Sequence, residues 1–175
     1  MASGAISEVA AMTRVVVIQH VLELSQRSNT IRHSGEVLAR LDVRVLGSQE
    51  VPLRLDDLRA EDGAWLLWPG GVSTVPVPKP KTVVVLDGSW SQARRMFQRV
   101  PELRRLPQWS LVAPEGRRSL REAPPGGMSS LEAVAQAVEA LDGVDAARPF
   151  HEAHEALVQK QLGQRGYVGP MKSQV

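Results

Sequence analysis

The chain has no cysteine among its 175 residues. Disulfides, thiolate-bound zinc and thiol nucleophiles are thereby excluded, and with them secreted disulfide scaffolds, zinc ribbons and cysteine catalysis. Aromatic residues are scarce at 4%, too few for a broad platform on which nucleic-acid bases could stack. No apolar run approaches the roughly 18 residues of a membrane span. The opening stretch, MASGAISEVAAMTRVV, has no basic region followed by a continuous apolar segment, so a cytoplasmic protein is expected. Neither GxxxxGK[ST] nor GxGxxG after a strand occurs, which removes the common nucleoside-triphosphate and dinucleotide fingerprints. Any metal would rest on the four histidines and the carboxylates. In FHEAHEA (150–156) His151 and His154 stand three apart, which is not HExxH, and they read as surface or helix-cap residues. No metal is expected.

What is present fits one ordinary domain. At 43% hydrophobic residues the chain can bury a real core, and we take residues 1–175 as a single unit with its core at about 14–163. Net charge is only +2, but the charge is unevenly spread. Between positions 94 and 121 stand Arg94, Arg95, Arg99, Arg104, Arg105, Arg117, Arg118 and Arg121 against two acids, Glu102 and Glu115. A solvated face of helix and loop is the ordinary meaning of such a run. A phosphate-binding surface is the functional one, since the planar guanidinium fork suits phosphate oxygens and counterion release favours binding.

Strand and helix signals alternate along the chain. RVVVIQH (14–20) and TVVVLDG (82–88) are β-branched runs without polar alternation, as in strands covered on both faces of a parallel sheet. LDVRVLG (41–47), AWLLWPG (64–70) and WSLVA (109–113) are further candidate strands. Helices are expected within 28–41, starting at either Ser28 or Ser34, and over 89–100, 129–143 and 148–163, the last with Pro149 at its start and Gly163 at its end. In the third, Ser129 and Glu132 have capping-box spacing, and Leu131, Val134, Ala135, Val138 and Leu141 form one apolar stripe. The expected fold class is therefore α/β, a mainly parallel sheet flanked by helices. PGGVSTVPVPKPK (69–81) reads as a loop crossing the strand ends near Asp87, and 114–127 as an arginine-bearing loop that leads into the capped helix.

Chemistry concentrates where apolar strands end on polar residues. Asp87 follows four apolar residues, so its carboxylate lies at the carboxyl edge of a strand, partly desolvated, where it suits a general base. It also suits a helix cap, and the two roles are compatible. Gly88 fits a tight turn or a close ligand approach. Trp90, at the first turn of the following helix, fits a ligand cover, although a core anchor is the commoner use of such a residue. A haloacid-type phosphatase would want a second aspartate where Ser89 stands. The first strand ends similarly, on Gln19 and His20, with Glu23, Asn29 and Thr30 downstream. Together with the LLWPGG stretch and the capped helix, these strand ends read as the walls of one pocket.

QHVLELSQRSNT (19–30), LLWPG (66–70), VVVLDGSWSQARRM (83–96) and REAPPGGMSSLEAVAQA (121–137), in this order, resemble the DTW-domain proteins, tRNA-uridine aminocarboxypropyltransferases related to the SPOUT class of S-adenosylmethionine-binding RNA enzymes. The resemblance runs from about Val15 to Gly163, and LDGSWSQARRM is its specific part. The chain departs from the family pattern at Ser89 and Ser130, where threonine is common, at Val21, where proline is usual, and in lacking N-terminal cysteines. The resemblance implies a SPOUT-like fold with a C-terminal knot. It also implies transfer of the 3-amino-3-carboxypropyl group of S-adenosylmethionine to N3 of a uridine in tRNA, with release of methylthioadenosine and no metal. A SPOUT-like RNA methyltransferase and an inactive RNA-binding module are the alternatives. On this resemblance Asp87 is the base. Leu67, Pro69, Gly70, Asp87, Gly88, Ser89, Trp90, Ser129, Ser130 and Glu132 contact the donor, with backbone N–H groups at the 129–132 helix start holding its carboxylate. His20, Glu23, Asn29, Thr30, Arg94, Arg95, Arg117, Arg118 and Arg121 serve the RNA.

Overall fold

The computed structural model describes residues 11–112 and 128–164. Its frame is a five-stranded sheet of β1 (Arg14–His20), β2 (Asp42–Leu46), β3 (Ala64–Val72), β4 (Thr82–Asp87) and β5 (Gln108–Trp109), in the order β2-β1-β4-β3-β5 with every pairing parallel. The two β-branched runs occupy neighbouring central strands, which explains their lack of alternation. Successive side chains point to opposite faces, and both faces are covered. Val15, Val17, Val83 and Val85 pack on Leu131, Val134, Val138 and Phe150. Val16, Ile18 and Val84 pack on Ala93, Met96, Leu103 and Leu106, together with Leu55 and Leu58 from the β2–β3 connection. Burying each such side chain contributes roughly 1.5–3 kcal/mol.

The first of these faces carries α3 (Ser130–Asp142) and α4 (Val144–Gln164); the second carries α1 (Trp90–Arg99) and the single turn α2 (Pro101–Arg104). α3 runs against the strands. Ser130 meets the end of β4 through Asp87, while Asp142 accepts from the amide and hydroxyl of Thr13, just before β1, and pairs with Lys79.

Four sequence expectations are corrected. Of the two starts open to the 28–41 helix the chain uses Ser34, not Ser28, and the element is a 3-10 segment at Gly35–Arg40, with the Asn29 and Ser34 side chains bonded to the local backbone before it. The strand expected over 109–113 is only Gln108–Trp109. α4 starts at Val144, directly after Gly143 (φ +95°), and contains Pro149 instead of beginning at it; one lost i→i−4 bond is offset by burial of Ala147, Phe150 and Val158. Finally, Pro69 to Val72 continue β3, and the rest of the 69–81 stretch returns to the opposite edge of the sheet, where the Thr13 hydroxyl proton is shared between Asp142 and the Pro80 carbonyl. A connection between parallel strands must make that return.

Candidate functional site

The chain leaves β1 toward β2 on one side and leaves β4 toward β5 on the other, so the carboxyl ends of β1 and β4 flank a topological switch point. Register sets Gln19 directly beside Asp87 there. Both continue the odd-numbered alternation that faces α3, and both are buried.

Three donors converge on the Asp87 carboxylate. Gln19 Nε2 and Asn29 Nδ2 each donate to Oδ2 at 2.7 Å, and Ser130 Oγ donates to Oδ1 at 2.5 Å. Burying an ionised carboxylate is tolerable only with such partners. Asn29 is itself the centre of the 20–32 segment. Its Nδ2 also reaches Glu23 at 3.2 Å, and its Oδ1 accepts from the Arg32 amide and from Gln19. Glu23 points inward from a 3-10 turn at Val21–Ser25, whose start is capped by His20 Nδ1 accepting from the Leu22 amide. Thr30 Oγ1 accepts from the Leu131 amide at 3.1 Å and so joins this segment to the start of α3.

Beside this polar centre lies a cavity of about 430 Å³. Leu67, Trp68 and Pro69 of β3 form one wall, Trp90 and Arg94 of α1 another, and Trp109 to Leu111 with Met128, Ser130 and Ala133 complete it. Trp90 and Arg94 stand one helical turn apart, which puts both on the cavity side. Trp68 is backed by Phe97, stacked at 4.5 Å and 16°. Three of the four tryptophans thus gather on one cavity. Trp90 belongs to the wall and to neither hydrophobic core cluster. A volume of this size, mostly apolar with a few polar groups, is typical of small-molecule sites, which run at about 300–1,000 Å³.

The model of the DTW domain matches residues 2–162. The chain belongs to the DTW domain family. That family is known for tRNA-modifying enzymes. Comparison with curated proteins and with solved structures returns no match.

In this DTW domain the expected site residues separate into groups. Leu67, Pro69, Gly88, Trp90, Ser130 and Arg94 are brought to the cavity wall. Glu23, Asn29, Thr30 and Asp87 are brought to the polar centre behind it. Ser89 caps α1 in a complete capping box with Gln92. At Gly88 a Cβ would lie 2.9 Å from Gln92 Oε1, the end of the side chain that completes this box. Ser129 caps α3, Glu132 is buried, Gly70 is exposed with φ +86°, and Arg95 points to solvent. Arg117, Arg118 and Arg121 lie outside the described residues.

At the start of α3 the amides of Leu131, Glu132 and Ala133 are engaged by Thr30 Oγ1, Ser129 Oγ and the Ser129 carbonyl, which leaves the Ser130 amide as the helix-start N–H nearest the cavity. Among residues that sequence reasoning left out, Gln19 is the chief one; its strand-end position was visible, but its pairing with Asp87 depends on register. Gly71 is another, since a Cβ there would fall 2.5 Å from the Gln108 backbone. Among the described residues no group of three or more His, Asp or Glu side chains is arranged to hold a metal ion. No helix among them is long and apolar enough to cross a membrane. His151 bonds Glu139 across the α3–α4 interface at 2.5 Å, instead of capping a helix.

Proposed function

We propose that this DTW protein is a tRNA-uridine aminocarboxypropyltransferase that uses S-adenosylmethionine as its group donor. The observation that carries the reading is the placement of Asp87. A buried carboxylate, oriented by three donors at the switch point of a parallel sheet, stands directly behind a tryptophan-lined cavity with an arginine in its wall. The residues present fit the donor. Trp68 and Trp90 with Leu67, Pro69 and Leu111 offer apolar and aromatic surface for an adenine ring and a thioether-like chain. When bound, the donor supplies an electrophilic γ-carbon next to a sulfonium.

The protein's own part is positioning and proton removal. Uridine N3 must lose its proton to become a nucleophile, and Asp87 is the base in this reading. The cavity walls hold the two reactants in line, which is the larger share of the task when no covalent intermediate is needed. Arg94 and Arg95, with Arg117, Arg118 and Arg121, face the RNA backbone in this reading, and a single unstacked loop base enters the pocket. This reading expects a cytoplasmic protein. In this reading the SPOUT relationship carries a knot in the C-terminal half.

The test is incubation with S-adenosylmethionine and unmodified tRNA, followed by nucleoside mass spectrometry. A uridine heavier by one aminocarboxypropyl group, together with methylthioadenosine, is the expected result. A methylated nucleoside with S-adenosylhomocysteine would make the protein a methyltransferase. RNA binding with neither product would make it a binding module.

A further inference from the structure

Asp87 is 4% exposed and does not itself form part of the cavity wall, whereas its neighbours Leu86 and Gly88 and its partner Ser130 do. A base that must reach a substrate in the cavity therefore meets it through something else. Hydrogen bonding singles out Ser130. An ionised carboxylate only accepts, so Ser130 spends its one hydroxyl proton on Asp87 Oδ1. What Ser130 Oγ presents to the cavity is lone pairs alone. The ligand atom that meets it must bring a proton, as the N3–H of a neutral uracil ring does.

We propose that Ser130 is a catalytic residue that relays the substrate proton to Asp87. This rests on the aminocarboxypropyl reading above. The N3 proton passes to Ser130 Oγ as the hydroxyl proton passes to Asp87 Oδ1, which leaves Ser130 neutral and Asp87 protonated. The N3 electron pair forms the new bond to the γ-carbon, the carbon–sulfur bond breaks, and its electron pair neutralises the sulfonium. Gln19 and Asn29 hold Oδ2, so Oδ1 is the oxygen aimed at Ser130. Ser130 is free for this role because the capping of α3 belongs to its neighbour, Ser129.

Separating the cap from the relay makes the test clean. Ser130→Ala keeps the Ser129 cap and two of the three donors to Asp87, so it should fold. With the unchanged protein forming product, Ser130→Ala is expected to lower single-turnover rate by about 100-fold or more, as general-base loss does, while donor affinity measured by calorimetry stays within about threefold. Ser130→Thr, which keeps a hydroxyl, should restore most of the rate. The rate against deuterium fraction in mixed H₂O and D₂O should bow for the unchanged protein, since two protons move together. Independently of turnover, the Asp87 carboxylate carbon resonance, assigned by its loss in Asp87→Asn, should move in Ser130→Ala and stay in place in Ser130→Thr. Equal rates for the unchanged protein and Ser130→Ala, or a linear isotope plot, overturn the relay alone. Absence of an aminocarboxypropyl product from the unchanged protein overturns the reading and the relay together.

Discussion

Asp87 makes three bonds with one property in common: all come from donors. Replacing it with asparagine puts an amide NH₂ where an acceptor stood. With its oxygen kept toward Gln19 and Asn29, the new NH₂ faces Ser130, whose bond must reverse. Asp87→Asn is therefore expected to abolish turnover, leave tRNA affinity within about twofold, and cost about 1–3 kcal/mol of stability in a urea melt. Undiminished turnover would remove Asp87 from the mechanism. At this scale the sequence was informative wherever a residue's neighbours in the chain define its setting. Asp87 ends an apolar run, and Ser89 and Ser129 each precede a helix, so their positions could be read directly. Gln19 could not be read as a partner of Asp87, because the two are 68 residues apart and only strand register joins them.

Among elements, β5 depends most on a single position. It has two residues and pairs with β3 across Gly71, where a side chain would meet the Gln108 carbonyl at 2.5 Å and the Trp109 amide at 2.7 Å. Backbone cannot give way as a flexible side chain can. Gly71→Ala should cost about 1–3 kcal/mol and, by displacing Trp109 from the cavity wall, weaken donor binding as well; calorimetry and thermal melts would both register it. Unperturbed binding would show that Trp109 is not needed there. Elements were legible where packing and local chemistry agree, as in the β-branched β1 and β4 and the capped α1 and α3. The 28–41 segment misled because its apolar spacing suits a helix while Asn29 Oδ1 takes the Arg32 amide and Ser34 Oγ bonds the Ile31 carbonyl. These local bonds compete with the helix ladder, and Asn29 is held in addition by its tertiary bond to Asp87.

For the molecule as a whole, charge sets two responses. Arg44 on β2 commits all five of its N–H donors, two to Asp57 as a fork, two to Asp42 and one to the Arg54 carbonyl, and Arg14 adds further bonds to both carboxylates. The hydrogen bonds from Arg44 hold Asp57 and Asp42 below the ordinary carboxylate range. Groups so depressed stabilise the fold above their unfolded value, about 3.9 for aspartate, and lose that contribution as pH falls through the folded value. Both carboxylates are about a third or more exposed, so screening keeps the total near 1 kcal/mol. Arg44→Gln should therefore be less stable by about that amount at pH 7, with the gap narrowing steadily below pH 4 in paired urea melts. A gap independent of pH would assign the loss to packing. The second response concerns RNA. Neutralising Arg94 and Arg95 together should weaken tRNA binding and lower the slope of log affinity against log salt by about 0.7 for each phosphate left without its arginine; an unchanged slope would move the RNA to another face.

The strand order has a consequence for how this chain is made. β4 lies between β1 and β3, yet both of those are synthesised first. Until residue 87 leaves the ribosome, each presents an open edge where the other cannot pair with it, a geometry that invites pairing with foreign strands. The polar centre is completed later still, when Ser130 arrives to bond Asp87 and Leu131 to bond Thr30. A nascent chain can therefore hold most of the sheet and none of the finished polar centre, which closes only as α3 docks.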